Sequence, residues 1–192
     1  MRRAQKREYL IDTAIRLFNR YGYHATGIDR LMEETGIAKT TLYRHFASKE
    51  ELIIAALTKA DEQARDEMRA FVEAASDDPC QRIFATFGQL EIWLKDAEFK
   101  GCPFVAAAGE YAVPGAPTDP VFQQARLHKR LFLAYFEELV RAARIAEPKL
   151  VAQQLIFLHE GAIAFAQVLG AEGVAASARK AAEKLIGVSA AS

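Results

Sequence analysis

The chain has 192 residues, 51% apolar and 26% charged, which is enough to bury a core and too apolar for a disordered chain. Its 25 basic and 25 acidic residues cancel, which excludes a surface that is basic throughout, as coating nucleic acid or an anionic membrane would require. Cys80 and Cys102 have neither the density of a secreted disulfide scaffold nor metal-site spacing, no apolar run reaches the length of a membrane span, and the first residues lack a signal peptide's apolar core, so a soluble cytoplasmic protein is expected.

Helical periodicity dominates and no β-branched alternation competes with it, so the expected fold is all-α, with about nine helices. Leu10, Ala14, Leu17, Phe18 and Tyr21 fall at helical spacing, with Gly22 just beyond, which predicts a first helix over 3–21. Thr26, followed by Asp29, is the expected cap of a short second helix whose inner stripe is Ile28, Leu31, Met32 and Thr35 and which stops at Gly36. Leu42 and Phe46, an i, i+4 apolar pair, mark a third helix. Ser48 and Glu51 form the expected capping box of a fourth, whose stripe from Leu52 to Phe71 runs for about seven turns.

Asp78-Pro79 and Asp119-Pro120 each set an N-cap acid before a proline at the first helical position, opening helices of about 79–97 and 120–144. A shorter helix lies between them near 102–112, followed by a loop, Val113-Pro114-Gly115-Ala116-Pro117. Pro148 starts a long helix to about Leu169, and Val174–Ile186 supplies the last. No internal repeat is present.

The neutral total hides an asymmetry. Residues 1–50 hold ten Lys/Arg and six Asp/Glu, a balance of +4, so the other 142 residues, with 15 basic and 19 acidic, sum to −4. The first quarter is therefore the part suited to a polyanion.

Two helices joined by a short turn containing Gly, the second one brief, form a helix-turn-helix arrangement. With Leu42 and Phe46 facing inward over Ile37, a rotation of 100° per residue places Thr40 and Arg44 on the opposite side, flanked by Thr41 and Tyr43, with Lys39 in the first turn. Lys39 and Arg44 can donate to guanine edges or phosphates, the threonines to bases, and Tyr43 and His45 to phosphate oxygens. Lys49 stands at the start of the fourth helix, beside amides that also suit phosphate.

The block GYHATGIDRLMEETGIAKTTLYRHFASKEELI, residues 22–53, resembles the DNA-binding domain of the TetR family of bacterial transcriptional repressors. The glycine and aromatic, the threonine before helix two, Gly-Ile before helix three, Thr-Leu-Tyr-x-His-Phe and Ser-Lys-Glu-Glu-Leu occur in the family's order. The resemblance implies a homodimer on a palindromic double-stranded operator, with a DNA-binding domain over 1–47 and an effector-binding and dimerisation domain over 48–192. It implies base contacts from Lys39, Thr40 and Thr41, phosphate contacts from Tyr43, His45 and Lys49, and backbone contacts at Thr26 and Gly27. Ala38 departs from the family pattern, which often has serine there; the missing capping hydroxyl is worth about 1 kcal/mol. At 27, glycine stands where many members have a second hydroxyl.

In the remainder, Phe84, Phe87, Trp93, Phe104, Tyr111, Phe122, Phe132, Tyr135 and Phe136 form an aromatic set able either to build the core or to line a pocket for an apolar or aromatic small-molecule effector. Glu91 and His159 interrupt apolar spacing and are candidates for orienting such a ligand. Residues 155–170 are apolar around most of a helix, with Leu155, Leu158, Ala162, Phe165 and Leu169 as one stripe and Ala166 allowing close approach. These residues, with Leu185 from the last helix, fit the family's four-helix dimer interface. No cofactor or metal is implied, since the four histidines are scattered. Ser177 and Lys180 share a spacing found in some acyl-enzymes but have no partners, so an enzyme is not expected. The alternatives are a dimeric DNA-binding protein without an effector and, far behind, a small helical enzyme.

Overall fold

The computed structural model describes residues 2–112 and 118–187, and the loop expected at 113–117 lies outside the described residues. Nine helices and no strands occur among the described residues: α1 Arg3–Tyr21, α2 Ile28–Thr35, α3 Lys39–Tyr43, α4 Lys49–Ala75, α5 Pro79–Leu94, α6 Pro103–Tyr111, α7 Pro120–Ala142, α8 Pro148–Leu169 and α9 Val174–Leu185. The expected all-α fold is what forms. Helices α3 and α5 end earlier than the apolar periodicity alone suggests.

Local chemistry accounts for the boundaries. The Asp78 carboxylate accepts from Cys80 N at 2.8 Å, and Asp119 accepts from Val121 N and Phe122 N at 2.8 and 3.1 Å, so both acid-proline pairs cap as expected. Ser48 Oγ accepts from Glu51 N at 3.1 Å, while the Glu51 carboxylate reaches back to Ala47 N, one residue earlier than in a regular capping box. Gly36 ends α2 with φ 65° and ψ 12°, the left-handed conformation that costs a side-chain-bearing residue most.

The helices group into two compact units. The first takes residues up to Gln63 together with Cys102–His128; the second takes Ala64–Gly101 together with the chain from Lys129 onward. Packing thus does not divide at residue 47, and α4 and α7 each contribute to both units. In the first unit Leu10, Ala14, Leu17 and Phe18 of α1 are buried with Leu31 of α2, Leu42, Phe46, and Leu52 and Ile53 of α4. In the second, α5 packs on α8 and α9, and α8 packs on α9, burying Ile83, Phe84, Phe87, Leu90, Leu155, Ala162 and Ala182.

Candidate nucleic-acid interface

The turn between α2 and α3 is fixed by one hydroxyl. Thr35 Oγ1 donates to Leu31 O at 2.7 Å and accepts from Ile37 N at 3.2 Å, while Gly36 makes the left-handed step. Ala38 is the N-cap of α3 and makes no side-chain capping bond, as its methyl requires. The short helix is held by its apolar residues: Leu42 is fully buried, and Phe46, in the turn that follows, is 1% exposed.

That anchoring leaves the polar residues outside. Lys39, Thr40, Tyr43 and Arg44 are exposed, Thr41 and His45 half-buried. Lys39 Nζ lies 3.0 Å from Asp29 Oδ1 of α2, whose hydrogen bond raises the pKa of the lysine, and both side chains are largely in water. Such an exposed pair exchanges readily for another anion. His45 is held below its ordinary pKa first by partial burial and then by Arg3, Arg7 and Lys6 beside it. Lys49, half-buried, donates to the His24 carbonyl at 3.3 Å, and burial lowers its pKa.

Thr26 requires a correction. Gly27, not Thr26, is the N-cap of α2, and the Thr26 side chain is 2% exposed, its hydroxyl donating to Gly22 O at 2.7 Å and Leu17 O at 3.3 Å. Thr26 therefore ties the start of α2 to the end of α1 and offers no hydroxyl outward. Gly27 is exposed with open space around it.

Sequence reasoning missed what holds the α1–α2 turn. Glu110 of α6 accepts from Tyr23 N at 2.9 Å and from His24 N, and its carboxylate is 3.1 Å from His24 Nδ1. The His24 ring stacks on Tyr111 at 4.7 Å, and Tyr23 Oη donates to Pro103 O at 3.0 Å. Gly22, at φ 86°, suits this turn because a side-chain-bearing residue is strained there, and a Cβ would also stand 3.1 Å from Glu110 Oε1, so the carboxylate would have to give by a few tenths of an ångström. Burial, with Glu50 and Glu110 adding, pushes the Tyr111 phenol up to about 12, so it stays neutral. The first unit also buries an Asp61–His128 pair, Oδ1 to Nδ1 2.7 Å, with Phe104 stacked on the His128 ring at 3.5 Å. The only trace of this in the sequence is that Asp61 follows Leu57 by four on the apolar stripe of α4.

The aromatic set expected for an effector divides between the units. Phe84, Phe87, Phe132, Tyr135 and Phe136 are buried in the second unit, and the rings of Phe87, Phe132 and Phe136 stand 6.0, 6.3 and 5.7 Å from that of His159. Trp93, half-buried, meets Phe99 edge to face at 5.1 Å. Phe104, Tyr111 and Phe122 belong to the first unit. Glu91 forms a surface pair with Lys95 at 2.7 Å, a second correction, since its carboxylate faces solvent rather than the aromatic cluster.

The stripe expected on α8 splits as well. Leu155, Ala162 and Ala166 are buried within the protomer and Leu158 is half-buried, whereas Phe165 and Leu169 are 54% and 69% exposed, joined by Phe157 at 64% and Val168 at 79%. Leu185 of α9 is 37% exposed. Among the described residues no helix is long and apolar enough to cross a membrane, and no group of three His, Cys, Asp or Glu could hold a metal ion.

A short polar helix set by a Gly turn beside a second helix is the geometry of major-groove readers. Comparison with known proteins agrees with it. A family profile described as "Bacterial regulatory proteins, tetR family" matches residues 10–56. The HTH-type transcriptional regulator LmrA of Bacillus subtilis is 29% identical over 145 residues, 74% of this chain and 75% of LmrA. The crystal structure of a TetR-family transcriptional regulator from Streptomyces coelicolor is 31% identical with a TM-score of 0.83, covering 96% of this chain and 94% of that one. That of a TetR transcriptional regulator from Chloroflexus aurantiacus is 27% identical with a TM-score of 0.82, covering 97% of each chain. The chain belongs to the TetR family and is a DNA-binding transcriptional regulator, not an enzyme.

Proposed function

We propose that this protein is a repressor that binds a palindromic operator as a homodimer and is released by a small-molecule effector. The observation that carries the reading is the division of α3 and the turn that follows it: Leu42 and Phe46 are buried while Lys39, Thr40, Tyr43 and Arg44 face outward. In this arrangement Lys39, Thr40 and Thr41 read base edges, Arg44 adds a donor to bases or phosphates, and Tyr43, His45 and Lys49 hold the backbone. Gly27 adds its amide at the start of α2. Roles divide near residue 47, with the DNA contacts before or just after it and dimer and effector contacts beyond.

The exposed face of α8 supports the homodimer. Leu150, Phe157, Gly161, Phe165 and Val168 recur at spacings of seven, four, four and three, so they share one side of the helix. From Leu150 to Leu169 this face runs for about 28 Å, an apolar patch of the kind that marks a protein interface. A second copy of the same face covers it with a self-complementary surface. The aromatic shell around buried His159 supports an apolar or aromatic effector. Helix α4, which begins with a DNA contact and ends in the second unit, carries the response: an effector that prefers the state with α3 units out of register with successive grooves by ~100-fold shifts the equilibrium by roughly 2.7 kcal/mol.

The test is release. An operator is selected by the full-length protein from a randomised duplex pool, and its affinity is measured by fluorescence anisotropy across a panel of apolar and aromatic metabolites. The expected result is that at least one compound both raises the melting temperature and weakens operator binding. Unchanged operator binding across a panel whose members do raise the melting temperature overturns the effector reading and leaves the family assignment standing.

A further inference from the structure

The N-cap Arg2 and the first two turns of α1, with Arg3, Lys6 and Arg7, gather four cations, with no acid in the first turn. Positive side chains at this end of a helix oppose its dipole, so this placement does not serve the stability of α1. The acids that follow are already engaged: Glu8 and Asp12 hold Lys59 of α4 at 3.0 and 2.6 Å, and Glu8 is also 3.5 Å from Arg7. Arg3 and Lys6, like Arg2, have no ion-pair partner among the described residues, so their charges are uncompensated.

Their position matters more than their number. Arg3, Lys6 and Arg7 are spaced i, i+3, i+4 and share a face of α1. The Arg7 guanidinium lies over the Phe46 ring, 5.2 Å from its centroid, and Phe46 directly follows His45 at the end of the α3 turn. The same three cations sit close enough to His45 to disfavour its charged form. The basic face of α1 therefore continues the surface formed by Tyr43, Arg44 and His45.

We propose that the start of α1 is a second DNA contact, in which Arg3 and Lys6 neutralise phosphates of the duplex alongside the groove entered by α3. Arg7, fixed over Phe46, orients the pair and links α1 to the end of the recognition helix. The inference rests on the reading of α3 as that recognition helix. These contacts add affinity without reading sequence, since phosphates are the same at every base pair.

The experiment compares the full-length protein with the double variant Arg3→Gln, Lys6→Gln on the selected operator and on a scrambled duplex, between about 50 and 200 mM salt. The expected result is binding to both duplexes that is at least about tenfold weaker at about 50 mM salt and converges on the parent as salt rises, a salt slope reduced by about 1.8 for each protomer bound, and an unchanged preference for the operator. The charge-conserving variant Arg3→Lys, Lys6→Arg keeps the parental slope, and neither variant lowers the melting temperature. A parental salt slope in the Gln variant, or an equal loss in the charge-conserving one, overturns the proposal. A further variant, Lys39→Ala, Thr40→Ala, keeps the two readings separate: if operator preference survives in it while the slope still falls in the Gln variant, the recognition-helix assignment fails and the second contact stands.

Discussion

Helices α3 and α8 solve opposite surface problems. α3 has five residues, is held by Leu42 and the adjoining Phe46, and together with its C-cap Arg44 shows water a lysine, a threonine, a tyrosine and an arginine. α8 has 22 residues, buries Leu155, Ala162 and Ala166, and shows water two phenylalanines, a valine and leucines. A polar face on so little buried support suits a rigid polyanion that brings its own order. An apolar face of such length suits a surface equally apolar, which in the proposed homodimer a second copy would supply. The difference teaches that exposure by itself says little until the chemistry of the exposed atoms is known.

The same truncation on the two helices separates them. Phe46→Ala removes a ring that is 1% exposed and is expected to cost about 3–5 kcal/mol of stability, lowering the melting temperature by roughly 10 °C and abolishing duplex binding with it. Phe165→Ala, at 54% exposure, is expected to leave the protomer intact; a comparable fall in melting temperature at concentrations where the protein is monomeric would break the comparison. To act on the interface itself, charges are needed. Phe165→Glu with Val168→Glu is expected to give a folded monomer by sedimentation whose operator affinity falls about 100-fold, because two half-sites are no longer bound by one linked pair. A dimer that survives this change moves the interface elsewhere.

The smallest expected effect sharpens the α3 side. His45 has a folded-state pKa below its ordinary value, held there by burial and by Arg3, Arg7 and Lys6, so in the free protein its neutral form is favoured. A phosphate beside it favours the charged form, so binding takes up a proton and affinity is expected to rise severalfold as pH falls from about 7.5 to 6. His45→Gln removes this dependence in anisotropy titrations; a pH profile identical to the parent's removes His45 from the contact. Stability responds in the other direction. The unfolded chain holds the proton more tightly than the folded one, so the contribution of this group is present above the unfolded pKa and declines as pH falls through it.

Most helix boundaries were legible because they are set within a few residues: Asp-Pro pairs at 78–79 and 119–120, a proline at 148, and glycines at 22 and 36. Thr26 shows how such local reasoning fails. It stands where a helix cap belongs, yet a buried hydroxyl that finds carbonyls four and nine residues back does better inside, and Gly27 takes the cap. On α8 the periodicity revealed two apolar faces without telling which one the protomer covers. That depends on how α9 folds back on α8 and on where α5, distant in the chain, packs against both. Glu110 and the Asp61–His128 pair were invisible for the same reason, joining residues 86, 87 and 67 positions apart.

Glu110 also bears on how such a protein can be rebuilt. The turn that launches α2 is closed by a carboxylate from α6, so the part that reads DNA is assembled from two stretches of chain rather than one. Cutting after residue 47 leaves the amides of Tyr23 and His24 without their acceptor and Tyr23 without Pro103. A chimaera that joins residues 1–47 to the remainder of a relative must therefore carry residues 102–128 as well, or supply a carboxylate at the same place.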